Sequence, residues 1–360
     1  MGRIGDTLRG AGVGMIYLVH GNLVGADAFG LLPELSRVFP STSGAVRRVI
    51  RRIVDRLSGD LGNFTGNYAK LFEAAINRPG EPSIGVRRFH WSSENHHLGR
   101  ADGAIRLIDE LASLNLEPGR RVMLWGHSHA GNVFALMTNL LGSNREALED
   151  FFAATRIYYR WPLLGCVDIP VWYRVRQLLR SADAPIRRLP LDLVTFGTPI
   201  RYGWESKGYS RLLHFVYHRP VQGIPAYRAT FPPNLKRVLR GAEGDYVQQL
   251  GIAGTDIRPS RLAWRARLAE KRLGRLLQSQ VLQRNPWDRF KAGAIVPDEG
   301  TTLLVDYGPM AGGVAKRHAG HAIYTRPQWL LFHAEEVVRQ FYQSPGLESG
   351  DGLSFRQRAG

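Results

Sequence analysis

The sequence predicts an α/β fold built around a mostly parallel sheet. Apolar runs typical of buried strands recur along the 360 residues, and amphipathic stretches with helical spacing separate them. Three of these strand-then-helix units precede residue 142. This alternation is typical of a parallel sheet with helices on both faces. At 44% hydrophobic and 22% charged residues, the chain can bury a sizeable core.

The first part of the chain contains the three strand-then-helix units. Residues 15–19 (MIYLV) form the first apolar run and end in a polar turn that starts at His20. In residues 43–57, apolar side chains fall at helical spacing and five arginines occupy the opposite face, which predicts a basic amphipathic helix. The second unit is a strand at 84–91 with a helix at 101–114, and the third is the segment 122–137.

The rest of the chain adds strands and two helical insertions to a single domain that covers residues 1–343. An aromatic, arginine-rich segment at 142–190 either caps a pocket or simply adds helical packing, and a basic helical insertion follows at 258–297. The tail, 344–360, is polar and glycine-rich, and we expect it to be disordered. The remaining strands are predicted at 191–196, 212–217, 247–254 and 301–307, and the last helix at 327–341.

Charge and cysteine content restrict the class of protein. The net charge is +17, but 42 of the 48 basic residues are arginines scattered along the chain, so nucleic acid is not the expected partner. The single cysteine, Cys166, excludes an intramolecular disulfide and fits a reducing compartment. It lies in an apolar stretch, which predicts a buried structural thiol. No run of 18 apolar residues suggests a membrane span, and a cytoplasmic location is expected.

Ser128 is the candidate nucleophile. It follows the strand-forming residues 122–125 and precedes a helical pattern, within the sequence GHSHAG. A tight strand-to-helix turn exposes such a serine beside the free N–H groups of the helix N-terminus. Gly126, Ala130 and Gly131 are small enough for the helix to pass close to the strand.

Ser128 needs a base and an acid, and both are expected after carboxyl ends of strands. His321 directly precedes the last helix and is the preferred base, with His318 as the alternative. Asp256 follows the predicted strand at 247–254 and is the preferred acid. Asp306 is the alternative acid, whereas Asp192 lies at the wrong end of its strand.

An oxyanion hole needs two preorganised N–H donors. The backbone N–H of His129, the residue after the nucleophile, is one candidate. The turn after the first strand provides the second, and Asn22 is the preferred residue. His20, in the same turn, is interpreted as a structural histidine. No HExxH motif, clustered Cys/His, GxGxxG or GxxxxGK[ST] occurs, so neither a metal nor another cofactor is expected.

These motifs together resemble the α/β-hydrolase fold, and in particular its lipase-like serine hydrolases. The resemblance extends from about residue 15 to residue 341, apart from the insertions. Ala130 departs from the glycine that usually ends the serine motif, and Asn22 stands where threonine is common. The segments that carry the resemblance are VHGN at 19–22, FHWSSEN at 89–95, GHSHAGN at 126–132, VTFGTP at 194–199 and GHAIYT at 320–325.

The resemblance implies hydrolysis of a carboxylic ester, a lipid ester or a thioester through an acyl-enzyme, without a cofactor. One alternative is a non-catalytic scaffold or membrane-docking module with the same fold, and another is an acyltransferase that uses the same triad. The basic stretches at 43–57 and 258–291 motivate a separate hypothesis of peripheral contact with an anionic membrane.

Overall fold

Parallel strands form the centre of the molecule, as the sequence predicts. The computed structural model describes residues 2–21, 63–161, 166–224, 244–248, 256–281, 299–308, 318–343 and 352–357. Each strand pairs in parallel with its neighbour, in the order β2-β1-β3-β4-β5-β6, followed by β7 at the edge. The strands are β1 (Val13–Val19), β2 (Gly85–Phe89), β3 (Arg121–His127), β4 (Leu191–Phe196), β5 (Arg211–Tyr217), β6 (Thr301–Asp306) and β7 (Gly352–Gln357).

Eight α-helices accompany the sheet in the described ranges. The first of them, at the start of the chain, was not anticipated from the sequence, and the helix predicted at 43–57 lies outside those ranges. The α-helices are α1 (Gly2–Gly10), α2 (Gly66–Ile76), α3 (His97–Ala112), α4 (Ala130–Gly142), α5 (Arg145–Tyr159), α6 (Pro170–Arg180), α7 (Trp264–Val281) and α8 (Leu330–Val338). Short 3₁₀ helices occupy Pro185–Arg188, Ser206–Gly208, His318–Ile323 and Pro327–Trp329, and a π-helical turn follows α8 at Arg339–Gln343.

The two faces of the sheet are covered by different helices. In β1, Met15, Tyr17 and Val19 face a core formed with α3, α4, α5, α6 and α7. The alternate residues Ile16 and Leu18 face a second core formed with α1, α2 and α8. Burial on both faces explains why the strands read as continuous apolar runs rather than alternating ones.

The 142–190 insertion extends the helical layer. Helices α5 and α6 belong to the same hydrophobic core as α3 and α4, so additional packing, rather than a cap, describes them. Trp172 of α6 is fully buried, and its indole N–H donates to Asp102 of α3 at 2.7 Å. Arg265 of α7 pairs with Asp168 and donates to the Ile157 carbonyl at 2.7 Å, which attaches the second insertion to the first.

Three local expectations are corrected. Residues 246–248 are helical, and 249–255 lie outside the described ranges, so the strand predicted at 247–254 is not supported. Residues 352–357 form a strand beside β6, so the expectation of a disordered tail does not hold for them. Cys166 is exposed rather than buried, and it lies directly before Val167, which forms a bridge with Arg160.

Two histidines, one in β5 and one in α8, are buried in a neutral form. His214 Nδ1 lies 2.6 Å from the Thr195 hydroxyl, and Nε2 lies 3.1 Å from the Glu299 carbonyl oxygen. Because that carbonyl can only accept, Nε2 donates to it, and in the neutral ring Nδ1 accepts from the Thr195 hydroxyl. Burial lowers the pKa of His214 to about 3, and it lowers the pKa of His333 on α8 to about 3 as well.

The buried His214 predicts a loss of stability in acid. Below about pH 6.5 the unfolded chain protonates this histidine and the folded protein does not, so the free energy of unfolding falls by about 1.4 kcal/mol per pH unit. The loss continues until the folded pKa of about 3. In urea unfolding at a series of pH values, His214→Gln should show a shallower acid slope than the wild type. The same substitution at the partly buried His90 is the control, and parallel slopes for H214Q and the wild type would contradict the assignment.

Candidate active site

The carboxyl edge of the sheet brings together the turns that the sequence singles out. The strand order reverses between β1 and β3, and such a switch point opens a crevice above the strand ends. Gly21 follows β1 there and Ser128 follows β3. A Cβ on Gly21 would lie 2.6 Å from the Cβ of Ser128, so only glycine lets the first turn approach the serine this closely.

Ser128 occupies the sharp turn that the sequence predicts. Strand β3 ends at His127, helix α4 begins at Ala130, and Ser128 between them has a φ of 57°. This left-handed conformation is unfavourable for a residue with a side chain, and it persists only when the surroundings enforce it. Two hydrogen bonds with residues at the end of β4 enforce it here. The Ser128 N–H donates to the Phe196 carbonyl at 2.8 Å, and the Ser128 carbonyl accepts from the Thr198 hydroxyl at 2.8 Å.

Small residues around the turn are required by close packing, as predicted. A Cβ on Gly131 would lie 2.3 Å from the Thr198 hydroxyl oxygen, and one on Gly126 would lie 2.5 Å from the Phe134 ring. A Cβ on Gly126 would also lie 3.1 Å from the Cβ of Ala130. Ala130 therefore fits in place of the more usual glycine because residue 126 has no side chain.

His321 pairs with a carboxylate that the sequence reading missed. The ring lies in the 3₁₀ helix between β6 and α8, and its Nδ1 is 2.7 Å from Asp245 Oδ2. Asp245 is fully buried, and its other oxygen accepts the Gln248 N–H at 2.9 Å. The Tyr324 hydroxyl donates to Oδ2 at 3.0 Å. Because a carboxylate only accepts, the short contact places a proton on Nδ1 of His321 and leaves Nε2 to accept one.

The histidine and its carboxylate lie beside the serine turn. His127, directly before Ser128, has its Nε2 3.1 Å from the His321 carbonyl oxygen, and the two rings are 4.4 Å apart at their centroids. His321 Nε2 is buried and has no hydrogen-bond partner among the described residues. The nitrogen that a general base needs is therefore free, next to the residue that precedes the nucleophile.

Asp256, the acid preferred from the sequence, serves another purpose. It accepts from the guanidinium groups of Arg100 and Arg201, the latter at 2.7 Å. Burial alone would raise the pKa of Asp256, but the two arginine charges outweigh it and hold the pKa well below its ordinary value. Asp256 neutralises the fully buried Arg100, so its assignment as the partner of His321 is wrong.

The alternative residues also lie apart from the His321 pair. Asp306 ends β6 and faces Arg219, whose Nε is 3.3 Å from Oδ1, and it accepts the Gly308 N–H at 2.8 Å. Asp192 lies at the amino end of β4, as predicted, and is held by Arg121 at 2.8 Å. The side chain of His318 lies outside the described part of the structure.

Asp245 was not predicted because it does not directly follow a strand in the chain. Strand β5 ends at Tyr217, and Asp245, much later in the chain, donates its N–H to the Tyr217 carbonyl at 3.0 Å. Gly244, directly before Asp245, forms a bridge with His218. Its φ of 122° requires glycine, so the Gly-Asp pair was the one available signal.

The start of α4 supplies the candidate oxyanion donor. The N–H of His129 has no acceptor within the described ranges, as expected for the first turn of a helix. The His129 ring is buried, and its Nδ1 accepts from Asn132 Nδ2 at 3.1 Å. Burial, aided by the charge of Arg100, lowers the pKa of His129 well below its ordinary value, so the ring is neutral. Asn22, the other predicted donor, lies outside the described ranges.

His20 shapes the turn after β1. Its carbonyl accepts the Trp91 indole N–H at 2.8 Å, and its Nδ1 lies 3.1 Å from the Ser93 hydroxyl. Ser93 and Ser128 are the two residues other than glycine with positive φ in the described ranges, and both lie at this edge of the sheet. These contacts agree with the structural role predicted for His20.

Comparison of the chain with protein-family models, with curated proteins and with solved structures gives no match. Among the described residues, no group of three or more His, Cys, Asp or Glu side chains is arranged to hold a metal ion. In the same ranges, no helix is long and apolar enough to cross a bilayer.

Proposed function

We propose that this protein is a serine hydrolase of the α/β-hydrolase type that cleaves a carboxylic ester, with a lipid ester or thioester in the same class. The observation that carries the proposal is the pairing of a strained serine turn with a buried His321–Asp245 couple at the same sheet edge. The positive φ at Ser128 supports it further, because strain of this kind is concentrated at functional sites.

Each residue has a role in acyl transfer. Ser128 Oγ attacks the ester carbonyl while His321 Nε2 takes its proton, and the bond between the carbonyl carbon and the leaving oxygen then breaks as His321 returns that proton. Asp245 holds the Nδ1 proton and stabilises the imidazolium. The His129 N–H binds the oxyanion, and the turn after β1 is the proposed source of the second donor, with Asn22 still the predicted residue. Water, activated by His321, releases the acyl group.

A fluorophosphonate probe tests this proposal on the intact protein. The probe phosphonylates a serine only when a base activates it, so the wild type should be labelled, with the adduct on Ser128 by peptide mass spectrometry. Ser128→Ala is the matched control and should not be labelled. An unlabelled wild type would instead support the scaffold alternative.

Transfer to an alcohol and the site of action in the cell remain predictions. An acyltransferase would transfer the acyl group to an added alcohol in preference to water, which product analysis detects. A cytoplasmic site of action, or a membrane-peripheral one, rests on the single cysteine and on the basic character of the chain.

A further inference from the structure

The start of α7 and the segment before it carry the most exposed large apolar side chains of the described structure. Ile257 is 60% exposed, Leu262 is 82% exposed and Trp264 is 53% exposed. The three lie within eight residues of each other in the chain. Large apolar side chains grouped at a surface mark a contact with a protein or a lipid phase.

The same surface is strongly cationic. Arg258, Arg261, Lys271 and Arg275 are all exposed. None of the four forms an ion pair with a carboxylate in the described ranges. The four cations and Trp264 line an open cleft of about 1060 Å³, and Ile257 and Leu262 are the chain neighbours of Arg258 and Arg261. We call these seven residues the basic-apolar surface.

Both acidic residues of this cleft are engaged by other groups. Asp256 is held between Arg100 and Arg201. Glu270 accepts the backbone N–H groups of His97 at 3.2 Å and Leu98 at 2.7 Å, at the start of α3. Neither carboxylate is therefore paired with the four exposed cations of the basic-apolar surface.

This surface adjoins the candidate active site. Arg201, which pairs with Asp256, donates its backbone N–H to Asn132 Oδ1 at 3.0 Å. Asn132 in turn donates to the ring of His129, the residue after Ser128. A short series of hydrogen bonds thus connects Asp256, next to Ile257, with the serine turn.

We propose that the basic-apolar surface docks on an anionic phospholipid bilayer and presents the carboxyl edge of the sheet to it. Tryptophan and aliphatic side chains insert at the headgroup boundary, and unpaired Lys and Arg around them bind the negative lipid surface. The combination on this surface matches both requirements. That the lipid supplies the acyl ester rests on the proposed function, whereas the docking itself does not.

Vesicle co-sedimentation tests the docking with the full-length Ser128→Ala protein, so that no lipid is hydrolysed. We expect binding to phosphatidylcholine vesicles that contain phosphatidylserine, little binding to pure phosphatidylcholine, and release as salt screens the charges. Removing two cations in Arg258→Ala/Lys271→Ala should weaken binding about 30-fold, since each contributes roughly a factor of five. Leu262→Ala/Trp264→Ala should also weaken it.

The matched control removes two exposed cations from the opposite helical layer, in Arg3→Ala/Lys70→Ala, and should bind as the parent does. Equal binding by R258A/K271A and this control, or equal binding to neutral and anionic vesicles, would overturn the proposal. In the active protein, R258A/K271A should keep the parent rate on a soluble short ester. This readout separates a failure of docking from a failure of the proposed hydrolase activity.

Discussion

Replacement of Ser128 by alanine is expected to lower kcat for hydrolysis of a soluble p-nitrophenyl ester by about 10⁴- to 10⁶-fold. The reason is that no other group can form the acyl-enzyme, while the His129 N–H and substrate binding still give weak catalysis. Steady-state kinetics on purified protein measure the effect. Loss of the side chain should not unfold the protein, because the bonds that hold the turn are made by backbone atoms of Ser128.

The control for this experiment is thermal unfolding of the same preparation. A Tm close to that of the wild type would assign the loss of rate to chemistry rather than to folding. Wild-type rates in the S128A protein would exclude Ser128 as the nucleophile and with it the proposed function.

Asp245→Asn is expected to lower kcat by about 10⁴-fold with little change in Tm. An amide can donate to Nδ1, which would favour the tautomer with its proton on Nε2, where it cannot accept from Ser128. In the orientation that donates an amide hydrogen to His321, the amide oxygen replaces Oδ1 and still accepts the Gln248 N–H, while the Tyr324 hydroxyl can accept the second amide hydrogen. The effect should therefore appear in kcat and in the pH profile.

Asp256→Asn is the discriminating counterpart. It removes the charge that neutralises Arg100, which is fully buried, and should destabilise the protein by about 3 kcal/mol. The folded fraction should keep its activity per active site, as titrated with the fluorophosphonate probe. A catalytic loss in D256N at unchanged stability, with normal activity in D245N, would show that Asp256 and not Asp245 is the acid of the triad.

Local sterics made the serine turn predictable from sequence. Gly126, Ser128, Ala130 and Gly131 lie close together in the chain, and small residues there are typical of a helix that starts against the strand it follows. The strands were predictable for a related reason. Burial on both faces imposes a continuous apolar run, and β4 has the bounds that the sequence indicates.

The helical layer was predictable only in part. The amphipathic patterns of α3 and α8 identified those helices, but their ends moved by several residues. Whether the 142–190 segment caps a pocket or joins the helical layer depended on which residue accepts the hydrogen bond of the Trp172 indole. Asp102 on α3 provides it, and no local pattern reveals that contact.

The sequence by itself determined the α/β class, the serine turn and the position of His321 between β6 and α8. Only the tertiary structure decided which carboxylate His321 contacts, because Asp245 is 76 residues away in the chain and meets the end of β5 beside the bridge between His218 and Gly244. Asp256 followed a region predicted as a strand and Asp306 lay near the end of another, where an acid is expected. Asp245, Asp256 and Asp306 differ in the groups that each carboxylate contacts. Arginines neutralise two of them, and the third is left to the histidine.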